Sequence, residues 1–129
     1  MGNSGNGQEL HESAEDYLEK ILMLKERLGQ VRSIDIATEL GYSKPSISIA
    51  MKKLRESGYI QMDNENLITL TETGQKIAKK VYNRHVMLTK LLMSFGVSSR
   101  TAEEDACKIE HDLSEESMRR IKEYLKDKN

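Results

Sequence analysis

Apolar residues recur along most of this chain at the spacing of a helix face, and polar or glycine-containing breaks cut the pattern into segments. Tyr17, Leu18, Ile21, Leu22, Leu24 and Leu28 form the first stripe, which predicts a helix capped by Ser13 and stopped by Gly29. Ile34, Ile36, Ala37 and Leu40 predict a short second helix, ended by Gly41 in a left-handed conformation that costs glycine nothing. Ser43 caps a third helix with Pro45 in its first turn, Ile47, Ala50, Met51 and Leu54 turned inward, and Gly58 at its end. The pattern then changes. Tyr59, Ile60 and Met62 read as a strand, Asp63-Asn64-Glu65-Asn66 as a polar turn, and Leu67 to Leu70 as the return strand. Thr71 caps a long helix with the stripe Ile77, Val81, Leu88, Leu91, Leu92 and Phe95, and Gly96 ends it. Thr101 and Glu104, at capping-box spacing, open a short helix reaching His111. Ser114 caps a last helix with Met118, Ile121, Tyr124 and Leu125 on its apolar face.

A short helix, a glycine-containing turn and a longer helix make a helix-turn-helix, or else an ordinary helical hairpin with a solvated face. The hairpin that follows favours the winged form of the DNA-reading motif. The outer face of the second motif helix has the chemistry for that task. Ser43, Lys44, Ser46 and Ser48 stand nearest the bases, Pro45 belongs to the same DNA-binding set, and Lys52 and Lys53 suit phosphates. The predicted fold is mainly α, with a leader at 1–10, a winged helix-turn-helix domain at 11–70 and a helical domain at 71–129. The stripe after Thr71 is too long for the DNA-reading unit to bury by itself, and predicts a homodimer.

Composition narrows the classes. The net charge of the 129 residues is -1, so contact with DNA must come from local clustering such as Lys44, Lys52, Lys53 and Arg55. No apolar run approaches a membrane span. The start, MGNSGNGQ, lacks an apolar signal core and reads as a disordered leader. The single cysteine cannot form an internal disulfide, and a reducing cytoplasm is expected.

Glu103, Cys107, Glu110 and His111 fall at i, i+4, i+7 and i+8, which would put carboxylate, thiol, carboxylate and imidazole on one helix face. All four side chains can ligate a transition metal. The alternative makes Cys107 a small buried residue and leaves the acids solvated. A catalytic Cys107–His111 pair is a further option, without an evident oxyanion site or substrate pocket. Asp16 and Glu19 share a face of the first helix, as ligands or as acids that favour its dipole. His85, on the long helix, is a ligand or a hydrogen-bonded structural residue.

From Glu12 to Leu125 the sequence resembles the diphtheria toxin repressor family of metal-activated bacterial repressors, and more closely its short manganese-responsive branch. The segments that carry the likeness are SAEDYLEKILML, the winged motif through LTETGQKIAKK, VYNRHVML and ACKIEHDLS, the last being the most specific. The resemblance implies a homodimer that binds double-stranded operator DNA through its first three helices and wing. It also implies dimerisation through the later helices, with metal between the two parts.

The ligand positions of the manganese branch fall on Asp16, Glu19, His85, Cys107, Glu110 and His111. That branch has Glu at position 107, whereas the iron-responsive branch has Cys there. The iron branch in turn has Met at position 19, and its second site uses His at position 103 and Glu at position 89, where this chain has Glu103 and Thr89. It also carries a C-terminal SH3-like domain, which a chain ending at Asn129 is expected to lack. The set is a hybrid, with Glu19, Cys107, Glu110 and His111 as the main site. Asp16, His85 and Glu103 complete that site or form a second. Fe(II) or Mn(II) is the expected corepressor. The thiolate also suits Co(II), Ni(II) and Zn(II). The expected function is metal-activated repression in metal homeostasis, without enzymatic activity. The rival is a winged-helix regulator answering to a small organic ligand or to none.

Overall fold

The computed structural model describes residues 12–128. The expected leader at 1–10 lies outside the described residues. The elements in chain order are α1 (Glu12–Leu28), α2 (Ser33–Leu40), α3 (Lys44–Glu56), β1 (Ile60–Met62), β2 (Ile68–Leu70), α4 (Glu72–Ser94), α5 (Ser99–Ile109) and α6 (Glu115–Lys128). They divide into two compact units, one ending at Lys79 and one beginning at Lys80.

In the first unit α1 packs on α2 and β2, and α3 packs on α2 and β1. The core is what the helical stripes supply: Leu18, Ile21 and Leu24 of α1, Ile36 of α2, Ile47, Met51 and Leu54 of α3, and Ile60 and Ile68 of the strands. Ile34, on the predicted stripe of α2, is 45% exposed. It stands at the first turn of a two-turn helix, where periodicity does not reveal which end is covered. Ser43 caps α3 by accepting from the Ser46 N–H at 3.3 Å. Gly41 takes φ 72°, the left-handed turn expected of it. Ser13 lies inside α1, which already includes Glu12, so its expected role as cap does not hold.

The strands pair antiparallel, Ile60 with Leu70 and Met62 with Ile68. The turn between them is held by Asp63, whose Oδ1 accepts from the N–H groups of Glu65 at 2.8 Å and Leu67 at 3.0 Å. The hairpin is tied to the start of α4. Thr71 donates its hydroxyl to the Gly58 carbonyl at 2.7 Å and accepts from the Gly74 N–H at 3.1 Å. A Cβ on Gly74 would stand 2.0 Å from the Tyr59 carbonyl oxygen, so only glycine fits there.

In the second unit Leu88, Ala106 and Met118 form the buried cluster, with Met87, Leu113 and Ile121 packed against it. Phe95, placed on the inward stripe of α4 by its spacing, is 65% exposed. Ser114 caps α6 as expected, accepting from the Ser117 N–H at 3.0 Å. The cap of α5 is Ser98, which accepts from the Thr101 N–H at 3.4 Å. The helix therefore begins at Ser99, and the Thr101–Glu104 capping box does not form. Among the described residues, no helix is long and apolar enough to cross a membrane.

Candidate functional site

The chemistry of the second unit gathers where α4 meets the end of α5. His85 lies midway along α4 and Cys107 in the last turn of α5. Helix α5 stops at Ile109, so Glu110 is its cap and His111 stands beyond it. The expected single helix face through His111 is thus a helix face plus a turn. The turn brings the Glu110 carboxylate inward, to 1% exposure. One ligand atom each from His85, Cys107 and Glu110 lie within 4.8 Å of one another. His85 Nδ1 is 2.9 Å from Glu110 Oε1, and His111 Nε2 is 3.6 Å from Glu110 Oε2.

Two observations decide what this cluster can hold. Cys107 is exposed, which overturns its reading as a small buried residue. Glu110 Oε2 is buried and has no hydrogen-bond partner, the imidazole of His111 lying beyond hydrogen-bond range. A buried carboxylate oxygen without a donor is costly unless a cation meets it. Thiol, imidazole and carboxylate are a donor set for a divalent transition metal, so the residues present fit such an ion.

The other predicted ligands have these places. Asp16 is half-buried and Glu19 buried, both on α1. Glu103 is exposed on α5 and, among the described residues, joins no such ligand group.

Arg84 escaped the sequence reading. It is 9% exposed, and its guanidinium donates to the carbonyls of Glu110 at 2.9 Å and Leu113 at 2.8 Å and to Glu115 Oε1 at 2.6 Å. The signal was available: Val81, Arg84 and Leu88 fall on one face of α4, so an arginine stands within an apolar stripe. The hydrogen bond from Arg84, followed by that from Lys80, holds the Glu115 carboxyl below the ordinary carboxylate range.

In the first unit the outer face of α3 is open. Ser43, Lys44, Pro45, Ser46, Ser48, Lys52 and Lys53 are all exposed. Ser43 and Ser46 are also engaged with each other, Oγ to Oγ at 3.0 Å, so the cap fixes both hydroxyls at the start of the helix.

Residues 9–66 match the family model described as iron dependent repressor, N-terminal DNA binding domain. Residues 71–128 match that described as iron dependent repressor, metal binding and dimerisation domain. An uncharacterised helix-turn-helix-type transcriptional regulator of Methanocaldococcus jannaschii is 38% identical over 118 residues, 90% of this chain and 94% of that one. The chain belongs to the diphtheria toxin repressor family.

Within that family it is of the MntR type. The transcriptional regulator MntR of Bacillus subtilis is 37% identical over 109 residues, covering 84% of this chain and 77% of that regulator. A solved manganese-dependent transcriptional repressor in complex with manganese superposes with a TM-score of 0.78 at 30% identity, over 87% of this chain. The present chain spans about half the length of that repressor, 52%. The family consists of transcriptional regulators, which sets aside a catalytic Cys107–His111 pair.

Proposed function

We propose that this chain is a cytoplasmic, metal-activated transcriptional repressor that binds a palindromic operator as a homodimer and controls metal homeostasis. The observation that carries the reading is the buried oxygen of Glu110 that lacks a hydrogen-bond donor, beside His85 and Cys107. A divalent cation there supplies the positive charge that the carboxylate lacks, and Cys107 and His85 offer it sulfur and nitrogen. The resemblance assigns Asp16, Glu19, Glu103 and His111 to the same chemistry, in that site or a second.

Occupancy shifts the population toward dimers whose paired α3 helices match the two half-sites of the operator. The α3 lysines neutralise phosphates, while the hydroxyls of Ser46 and Ser48 reach base edges. Met93, Phe95, Ile109 and Tyr124 remain exposed in the second unit, apolar surface that a homodimer would remove from water.

Fe(II) or Mn(II) is the proposed corepressor. The test is operator binding titrated in turn against Mn(II), Fe(II), Co(II) and Zn(II). Metal-dependent binding, lost on chelation, is the expected result. Equal binding with and without metal would favour the rival regulator that answers to an organic ligand or to none.

A further inference from the structure

We propose that Arg84 is a positioning residue for the metal site, fixing the turn that presents Glu110. The inference rests on the metal reading above. Glu110 lies just past the last residue of α5, where the helix no longer dictates its direction. Its own N–H still bonds back to the Ala106 carbonyl at 2.9 Å, but its carbonyl has left the helical ladder. Arg84 accepts the task of satisfying it. One guanidinium nitrogen, Nη1, bridges the carbonyls of Glu110 and Leu113, the two ends of the turn. The other, Nη2, is locked on Glu115 in the first turn of α6.

The planar fork can serve these acceptors together because its donors are rigidly disposed, which a lysine ammonium cannot reproduce. Chain order makes the link direct. Arg84 precedes His85, so one turn of α4 holds the backbone of Glu110 with one side chain and meets its carboxylate with the next. His85 Nδ1 stands 2.9 Å from Glu110 Oε1, so the ring and the carboxylate are set against each other. Removing Arg84 frees the turn, and the Glu110 carboxylate loses its set distance from His85 and Cys107. Partners that orient a ligand in this way typically govern metal affinity by about 10- to 100-fold.

The experiment compares Arg84→Met, Arg84→Lys and the core variant Leu88→Ala with the wild-type chain. Mn(II) and Co(II) affinities are measured by calorimetry, melting temperatures without metal, and the ring nitrogen shifts of His85 by NMR. Arg84→Met should bind both metals at least about tenfold more weakly and move the His85 shifts in the metal-free protein. Arg84→Lys, which keeps the charge and part of the donor set, should recover only part of the loss. Leu88→Ala should melt lower yet bind metal as the wild type does.

A folded Arg84→Met with wild-type affinity overturns the proposal, whatever its melting temperature. Should Arg84→Met not fold, Arg84→Lys decides on the same measurement. Weakened affinity with altered His85 shifts supports the positioning role, and wild-type affinity overturns it. A wild-type chain that binds neither metal overturns the metal reading itself, a separate result.

Discussion

The two units are built on different principles. The first is held by branched and long apolar side chains drawn from every element, with Leu18, Ile21, Leu24, Ile36, Ile47, Met51, Ile60 and Ile68 each almost fully buried. In the second, the buried apolar residues are Val81, Leu88, Ala102, Ala106 and Met118, two of them alanines, while Arg84 and Glu110 are buried beside them. The first core is carried mainly by apolar burial, with Glu19 as its one buried charged side chain among the described residues. A core of the second kind depends on pairing its charges, and a missing partner leaves a desolvated group behind. The first unit therefore leans on apolar contacts, and the second more on charges that must find partners.

The largest effect tests the first unit. Gly74→Ala drives a Cβ into the Tyr59 carbonyl, which has no flexible end to yield, so the start of α4 must leave the hairpin. A loss of about 3 kcal/mol or more is expected by chemical denaturation. Near-wild-type stability would mean that this joint is looser than its contacts imply.

Matched truncations sharpen the comparison further. Ile47→Ala and Leu88→Ala each remove a side chain no more than 1% exposed, and each should cost about 3 kcal/mol. Metal at about one hundred times its Kd should return about 2.7 kcal/mol wherever unfolding releases the ion. The return is expected for Leu88→Ala, and thermal melts with and without Mn(II) check it. No return in that variant would contradict a metal site in the second unit.

Cys107→Glu changes the donor set without burying a charge, because position 107 is exposed. The variant should melt close to wild type and shift its preference toward Mn(II), the harder ion. Destabilisation that no metal rescues would sink the assignment of Cys107 as a ligand.

Lys53→Ala is expected to weaken binding to all DNA sequences and reduce the salt slope by about one. Asp63→Asn keeps the Oδ1 acceptor that closes the wing turn, and should not weaken binding. Both follow from binding measured across a salt series.

The smallest effect is electrostatic. The hydrogen bond from Arg27, the largest cause, holds the Glu39 carboxyl below its ordinary value, and Arg84 does the same to Glu115. A folded-state value that is lowered stabilises the protein above the unfolded-state value, about 4, and the contribution is lost as pH falls through the lowered one. Both pairs are solvent-facing on the acid side or close to it, so the change should be small and should fade with salt. Melts of Glu39→Gln and Glu115→Gln against wild type should differ at neutral pH and converge in acid.

What the sequence made legible was what short-range chemistry decides. Ser43, Thr71 and Ser114 cap helices as their positions foretold, since a hydroxyl reaches only two or three residues ahead. Thr101 is the residue expected to open α5, but the hydroxyl that caps it is that of Ser98, three residues earlier. Ile34 and Phe95 sit on apolar stripes but in water, because a stripe reveals a face and not how far its cover extends. For Cys107, spacing offered a ligand or a packed residue, and only the path of α5 settled its exposure. The burial of Arg84 is signalled by its place in the α4 stripe, but its partners are not. Its acceptors lie 26 to 31 residues downstream, in a turn whose direction no local pattern encodes.

The exposure of Cys107 has a practical consequence. It is the sole thiol of the chain, so every reaction with a thiol reagent reports on one position. If that sulfur holds the metal, alkylation and coordination compete for the same electron pair. The rate of labelling of the purified protein then reports the fraction of vacant sites, without any DNA being present. The same exclusivity is a vulnerability: oxidation to the sulfinic acid would withdraw the ligand irreversibly and leave a regulator that reads oxidative damage as metal starvation.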